Sequence, residues 1–344
     1  MTVSVTIKDI AEKFGVAPST VSNVLNGRNK GSYAKTAKRA EQIRRYAESR
    51  GYRPSAAARA VRSNRTYQVG ILLPNRADHP HTHPNAFEGV LGLNSGMQEC
   101  GYVVSIIRFD DLTTNIRSHT RLFSEQSLDG LVVFGQFPDW ALQELRALVP
   151  AVVWMDTGIW EPTNCIRRDE AAAARQAVEQ AAALGYRRLI WLGYPDRADH
   201  GHYSQVARRG AALAAAQAAG MEVEEAPVEP WAGLDHWQGL ETRLRPDTVV
   251  LAQTTYHAQL LSHRVAAMGM TPPRDFGLVC CESSQEIDRL WPGLSRVSFD
   301  RFDMGRQAGD MLRALLDEAG DAIASRRVSG QWVAGDSARS QQPT

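Results

Sequence analysis

The sequence predicts an α/β protein: an N-terminal all-α helix-turn-helix head, then a two-lobed body built on parallel sheets. Three observations predict it. Thr6 to Asn26 reads as two short amphipathic helices joined by a tight turn. From Gln68 onward short apolar runs alternate with helical windows, the pattern of parallel strands covered by helices on both faces. Charge is also split. Residues 1–66 carry 14 Lys and Arg against 4 Asp and Glu, a net +10, and the rest of the chain carries −9 within an overall +1. A basic head on an acidic body is the electrostatic footprint of a nucleic-acid-binding module joined to something else.

In the head, Thr6 is placed to cap the first helix, with Asp9 three residues on to offset the positive helix start. Ile7, Ile10, Ala11 and Phe14 form one apolar stripe, and Gly15 supplies the left-handed residue that ends it. Pro18 suits a first helical turn. Val21, Val24 and Leu25 make the second helix's inner face, which leaves Ser19, Thr20, Ser22 and Asn23 pointing outward. In a helix-turn-helix this second helix enters the DNA major groove. Asn pairs with adenine through two hydrogen bonds and Ser serves several bases, so Pro18, Ser19 and Asn23 are the candidate specificity positions. The basic loop GRNKGSYAK follows, and the sequence leaves open whether it reaches the phosphate backbone. A third helix is expected from about Thr36 to Arg50, with Ala37, Ala40, Ile43, Ala47 and Tyr52 closing a small core.

In the body, the apolar runs fall at 69–74, 103–107, 130–135, 151–155, 188–193, 248–252 and 277–281. Helical windows fall at 85–100, 114–127, 138–148, 170–185, 203–220, 233–243 and 256–269. That is too many repeats for one six-stranded unit, and the chain divides naturally near Cys165. A last helix, about Met304 to Asp317, is expected to return to the first lobe, and the polar tail SARSQQPT to be disordered. Four cysteines, Cys100, Cys165, Cys280 and Cys281, show no C-x-x-C spacing, and the adjacent pair reads as strand. No signal peptide and no run of about 18 apolar residues is visible, so a cytoplasmic location with no membrane partner is expected. GVLGLNSG (89–96) is glycine-rich but lies in a helical window, poor ground for a phosphate site. No nucleophile elbow, phosphate loop or paired-carboxylate site is present. Neither an enzyme nor a cofactor or metal is therefore expected.

The stretch TIKDIAEKFGVAPSTVSNVLN resembles the N-terminal signature of the lactose-repressor (LacI/GalR) family of bacterial transcription regulators, with Ala17 where the family has Ser. LDGLVVFG, PAVVWMD, ALGYRRLIWLG and PRDFGLVCCE extend the likeness more loosely to about residue 335. The resemblance implies a head at 1–53, a hinge helix at 54–66 and a periplasmic-binding-protein-like body at 67–340. Its first lobe would be 67–164 and 293–319 and its second 166–291 and 323–340, with crossings near 164–166, 291–293 and 319–323. It implies that Thr20 and Ser22 contact phosphate, and that Thr6, Asn26, Tyr52 and Ser55 belong to the DNA-facing set. In the hinge, Arg59 matches the family's arginine, and Val61 stands where a paired leucine wedges the minor groove. Ten alanine-rich residues are too few for a helix alone, so the hinge is implied to fold only when two subunits meet over an operator.

For the cleft, the resemblance implies an effector contact at Asp156 and another at Glu282, where the family has the Asp of G-F-D-D. The family's gripping R-x-x-G reads Ala207-Arg208-Arg209-Gly210 here, which leaves Arg208 as a candidate in altered geometry. Its N-D reads Thr254-Thr255, with Thr254 a further candidate. His79, His81 and His83 sit in the proline-broken DHPHTHP, as a metal spacing, a cleft lining that would involve His83, or a solvated loop. Trp154, Trp160, Trp231 and Trp237 offer ring platforms but suit packing equally. Arg167, Arg168 and Asp169 are expected as interlobe contacts. The implied function is a homodimeric regulator, a repressor by the commoner family mode. It would bind a pseudo-palindromic double-stranded DNA operator and be modulated by a small, sugar-like effector. The alternatives are a ligand-binding receptor whose head is incidental, or an enzyme acting on the bound ligand.

Overall fold

The computed structural model describes residues 5–25, 34–74, 82–108, 121–195, 202–228, 239–283, 285–317 and 322–340. The chain divides into two compact units, Met1–Thr66 and Tyr67–Thr344.

The first unit holds α1 (Ile7–Phe14), α2 (Pro18–Leu25), α3 (Ala34–Ser49) and α4 (Ala56–Ser63). Thr6 and Asp9 cap α1 reciprocally: the Thr6 N–H donates to Asp9 Oδ2 at 2.8 Å and the Asp9 N–H donates to Thr6 Oγ1 at 3.3 Å. Gly15, at φ +56°, turns the chain out of α1. Ile10, Ala11, Val21, Val24, Ala40, Ile43 and Ala47 make the core, with Tyr52 packed on it. Ala37, expected inside, is exposed. The small core is closed by the later turns of α3 instead.

The second unit carries two six-stranded sheets. The first uses β1 (Gln68–Leu73), β2 (Val103–Arg108), β3 (Gly130–Phe134), β4 (Val152–Met155), β5 (Cys165–Arg168) and the late β11 (Arg326–Val328), in the order β11-β5-β4-β3-β1-β2. The second uses β6 (Arg188–Gly193), β7 (Glu222–Pro227), β8 (Thr248–Ala252), β9 (Gly277–Cys280), β10 (Ser295–Ser298) and β12 (Gln331–Val333), in the order β12-β10-β9-β8-β6-β7. Every pairing is parallel except that of β10 with β12. The first lobe's helices are α5 (Thr82–Glu99), α6 (Arg121–Ser124), α7 (Asp139–Leu148) and the returning α12 (Arg301–Leu316). The second lobe's are α8 (Glu170–Ala183), α9 (Tyr203–Ala218), α10 (Thr255–Ala266) and α11 (Gln285–Leu290).

The central strands are apolar on both faces because helices cover both. Along β1, Val69 and Ile71 join the cluster under α5 and α12, while Leu72 joins the cluster that holds Ala141 and Leu145 of α7. The glycines of 89–96 serve that packing. A Cβ on Gly92 would lie 1.9 Å from the Phe302 carbonyl oxygen, and one on Gly305 would lie 2.0 Å from the Gly89 carbonyl oxygen. Close approach of α5 and α12 therefore depends on both residues.

Strand membership moves the crossings later than expected. The chain changes lobe between β5 and α8 (168–170), between β10 and α12 (298–301), and between β11 and β12 (328–331). CIRR and SRVS carry too little apolar character to read as strands, so their ends were not visible in the sequence. The acidic β7, EVEEAP, escapes the same reading because it is a half-exposed edge. The tail is a second correction. Ser337 and Ala338 are buried on the second lobe, with the Ser337 hydroxyl donating to the Leu278 carbonyl at 2.6 Å and accepting from the Ser295 N–H at 2.8 Å. Among the described residues no helix is long and apolar enough to cross a membrane.

Candidate functional site

On the head, α2 presents Pro18, Ser19 and Asn23 as exposed side chains, with Thr20 half-buried beside them. Ser22 departs from its expected outward place. It is buried, and its hydroxyl accepts from Arg62 Nη1 of α4 at 2.9 Å. A residue expected to touch phosphate is thus turned onto the hinge helix. Asn26 lies outside the described residues. Thr6 is exposed at its cap, and Tyr52 is half-buried against the head core.

The hinge segment is a helix within the single chain, where the resemblance implied one only at a paired hinge on DNA. Three local features account for it. The Ser55 hydroxyl accepts from the Ala58 N–H at 3.2 Å, Asn64 ends the helix in the left-handed conformation, and Arg62 ties it to α2. Arg59 is exposed, and Val61 is 86% exposed.

In the body, six charged side chains meet between the lobes, at strand ends and helix starts, where ligands bind in open α/β folds. Asp156 follows β4, Arg168 ends β5 and Arg301 opens α12, all in the first lobe. Glu170 opens α8, Arg208 lies on α9 and Glu282 follows β9, all in the second. All six are buried. Asp156 has a left-handed backbone at φ +55°, a conformation rare for residues other than Gly and Asn, which aims its carboxylate at Arg168. Arg168 donates to Asp156 Oδ2 at 2.8 Å, to Glu170 Oε1 at 2.8 Å and to Glu282 Oε2 at 3.2 Å. Arg208 donates to Glu170 Oε1 at 2.8 Å, to Glu282 Oε2 at 2.8 Å and to the Gln253 carbonyl at 3.0 Å. Arg301 donates to Glu282 Oε2 at 3.0 Å and to the Ser283 carbonyl.

Three guanidiniums thus balance three carboxylates, and the pairs of Arg168 and Arg301 with second-lobe acids join the lobes. Tyr203 and His202 add neutral links. The Tyr203 hydroxyl donates to Asp156 Oδ1 and accepts from the Arg168 N–H at 3.2 Å. His202 Nε2 lies 2.7 Å from the Asp156 carbonyl, which can only accept, so Nε2 carries the proton and Nδ1 accepts from Ser204.

Burial pushes the Glu282 carboxyl up, but Arg208, Arg301 and Arg168 outweigh it and hold the group down at about 2. Burial likewise opposes ionisation of Asp156, which the Arg168 guanidinium and the Tyr203 hydroxyl hold well below the usual range. Burial lowers His202, consistent with the neutral tautomer its contacts require.

Three sequence candidates therefore gather here: Asp156, Glu282 and Arg208. Arg208 reaches the cleft although Ala207 holds the expected gripping position. Thr254 does not join them. It caps α10, its hydroxyl 2.7 Å from His257 Nδ1. The side chain of His83 and all of His79 and His81 lie outside the described residues, as do Trp231 and Trp237. Trp154 is buried in β4, while Trp160 carries the guanidiniums of Arg167 and Arg327 at 4.3 and 4.9 Å from its ring centre. Glu170, Arg301, Tyr203 and His202 were missed. For Glu170 and Arg301 the one signal was the clustered charge of CIRRDE and SFDR just before a helical window; His202 and Tyr203 had none. Cys280 and Cys281 are buried free thiols, burial pushing the first up to about 12. Among the described residues no group of three His, Cys, Asp or Glu is set to hold a metal ion.

Comparison with known proteins agrees with this architecture. Residues 178–338 match the family described as periplasmic binding protein-like domain. The HTH-type transcriptional regulator PtxS of Pseudomonas plecoglossicida is 29% identical over 194 residues, 56% of this chain and 54% of that one, so the match spans about half of that relative. The HTH-type transcriptional repressor PurR of Vibrio campbellii is 25% identical over 348 residues, 94% of each chain. The crystal structure of the lac repressor dimer bound to operator and the anti-inducer ONPF has the same fold, with a TM-score of 0.73 at 19% identity over 97% of this chain and 98% of that one. In its head motif, in relatives along its whole length and in its fold, the chain is similar to transcriptional regulators of the LacI family.

Proposed function

We propose that the protein is a homodimeric repressor that binds a pseudo-palindromic DNA operator through two heads and is switched by a small polar molecule in the interlobe cleft. The observation that carries the DNA reading is the exposed row Pro18, Ser19 and Asn23 on α2 of a unit with net charge +10. Such short polar side chains read base edges, while the surrounding Lys and Arg hold the phosphates. Val61 supports the paired hinge. An apolar side chain 86% exposed on a doubly capped helix is suited to entering a minor groove beside its symmetry mate, and valine makes a shallower wedge than leucine. The relative crystallised as a dimer on operator is in keeping with this arrangement.

The switch rests on the three crossings. Charged pairs hold the lobes together, so a ligand that alters those pairs alters the angle between lobes. In a dimer, that angle sets the distance between the two hinge segments.

Operator selection from a random DNA pool with the full chain tests the reading. A palindromic consensus is the expected outcome, and no enrichment overturns it. Affinity for the selected site should then fall about 10³- to 10⁵-fold between about 50 and 200 mM salt, as for about 6–10 phosphate contacts. A flat salt curve in a gel-shift titration would remove the DNA reading.

A further inference from the structure

Three guanidiniums converge on one oxygen. Glu282 Oε2 accepts from Arg208 at 2.8 Å, Arg301 at 3.0 Å and Arg168 at 3.2 Å. The three arginines differ in what else holds them. Arg168 keeps Asp156 and Glu170, and Arg208 keeps Glu170 through two nitrogens. Among the described residues, Arg301 has no ion pair but that with Glu282. Its second acceptor is the Ser283 carbonyl, a dipole and not a charge. Arg301 is nevertheless 2% exposed.

Glu282 belongs to the second lobe and Arg168 and Arg301 to the first, so a molecule seated between the lobes parts them at this junction. The hydroxyls of a neutral sugar accept hydrogen bonds but bring no charge. They would leave Arg301 buried without a counter-ion, a state that proteins strongly avoid. A carboxylate or phosphate brings both the charge and the acceptor geometry that guanidiniums match.

We propose that the ligand of this cleft is a small organic oxyanion, whose carboxylate or phosphate takes the place of Glu282 among Arg168, Arg208 and Arg301. The inference rests on the effector-gated reading above and gives its ligand class. Glu282 is then an internal competitor. It closes the cleft with the protein's own carboxylate and sets the concentration at which the external anion displaces it. Selectivity follows from charge first and from ring hydroxyls second.

The test is thermal melting of the full-length protein, without DNA, in potassium acetate, potassium phosphate, glucose and potassium chloride at matched ionic strength. The variant Glu282→Ala vacates the carboxylate position. Acetate or phosphate at about tenfold above its Kd should raise the Tm of that variant by about 3 °C over chloride. The wild type, which fills the position itself, should move less, and glucose should leave both unchanged. Adding Arg301→Met to Glu282→Ala should abolish the rescue.

Acetate alone would point to carboxylates and phosphate alone to phosphoesters, and either supports the shared chemistry. Glu282→Gln, which keeps the side-chain volume but not the charge, is measured beside it in case the alanine variant fails to fold. A response no larger than chloride in every folded variant overturns the proposal, as does an equal response to glucose. Operator binding is scored separately. A protein that selects an operator but gives flat melts loses only the ligand class, and one that melts as expected but selects no operator loses the regulatory reading.

Discussion

The head and the cleft use polar side chains in opposite ways. On α2, Pro18, Ser19 and Asn23 are exposed, so what they recognise is set by whatever approaches. In the cleft, Asp156, Arg168, Glu170, Arg208, Glu282 and Arg301 are buried and satisfied by one another. A surface proposed to read DNA suits solvated side chains, because base edges and phosphates meet them directly or through ordered water. On the proposed function the cleft holds one of two lobe arrangements, which needs partners that are strong in one and lost in the other. Specificity in the head therefore comes from presentation, and in the body from exchange of partners.

The largest expected effect breaks the internally paired side of this contrast. Arg168→Met removes the guanidinium that meets Asp156, Glu170 and Glu282 and leaves those acids without their central cation. Breaking a buried pair of this kind costs about 3–5 kcal/mol. Urea unfolding of the full chain should show the body transition shifted by that amount and the head transition unmoved. A loss below about 1 kcal/mol, the level of surface ion pairs, would mean the network is hydrated and the contrast is wrong.

Acid is the next lever. Glu282 is held at about 2 in the folded protein against an ordinary 4.5. A depressed carboxyl contributes stability that is fully present above its unfolded pKa and is lost as pH falls toward its folded one. The contribution is about 3 kcal/mol near neutrality and should disappear between about pH 4.5 and 2. Asp156 is shifted in the same direction and acts in the same acid range. Stability measured against pH for wild type and Glu282→Gln should diverge above about pH 4.5 and converge below about 2. Parallel curves would show that Glu282 does not titrate with folding.

The contrast also explains how far the sequence could be read. The head was legible almost residue by residue, because capping, the glycine stop and the apolar stripe are local rules that Thr6, Asp9, Gly15 and Ile10 each state in place. The seven apolar strands were legible for the same reason. The cleft was legible only in part. Asp156 and Glu282 came from a family match, but their partners come from positions far apart in the chain, and Arg168 meets Glu282 across 114 residues. No periodicity carries that information. Arg301 was hidden because the crossing before it was placed too early, and Ser22 because a single helical wheel puts it outward until Arg62 arrives from α4.

Ser22 gives the smallest and sharpest test, since it sits on the reading helix yet behaves like a cleft residue. If it belongs to the exposed set, Ser22→Ala removes a phosphate contact and lowers the slope of log affinity against log salt. If it belongs to the paired set, the variant leaves the Arg62 guanidinium without its 2.9 Å acceptor and the salt slope unchanged. The second outcome is expected, with a cost of about 1 kcal/mol to the head, the usual range for one hydrogen bond. Hydrogen exchange of amides in α4 reports it directly, because faster exchange at 56–63 follows only if Arg62 anchors that helix. Arg62→Ala should reproduce the same exchange pattern, and the double variant should add nothing further, as two halves of one bond require.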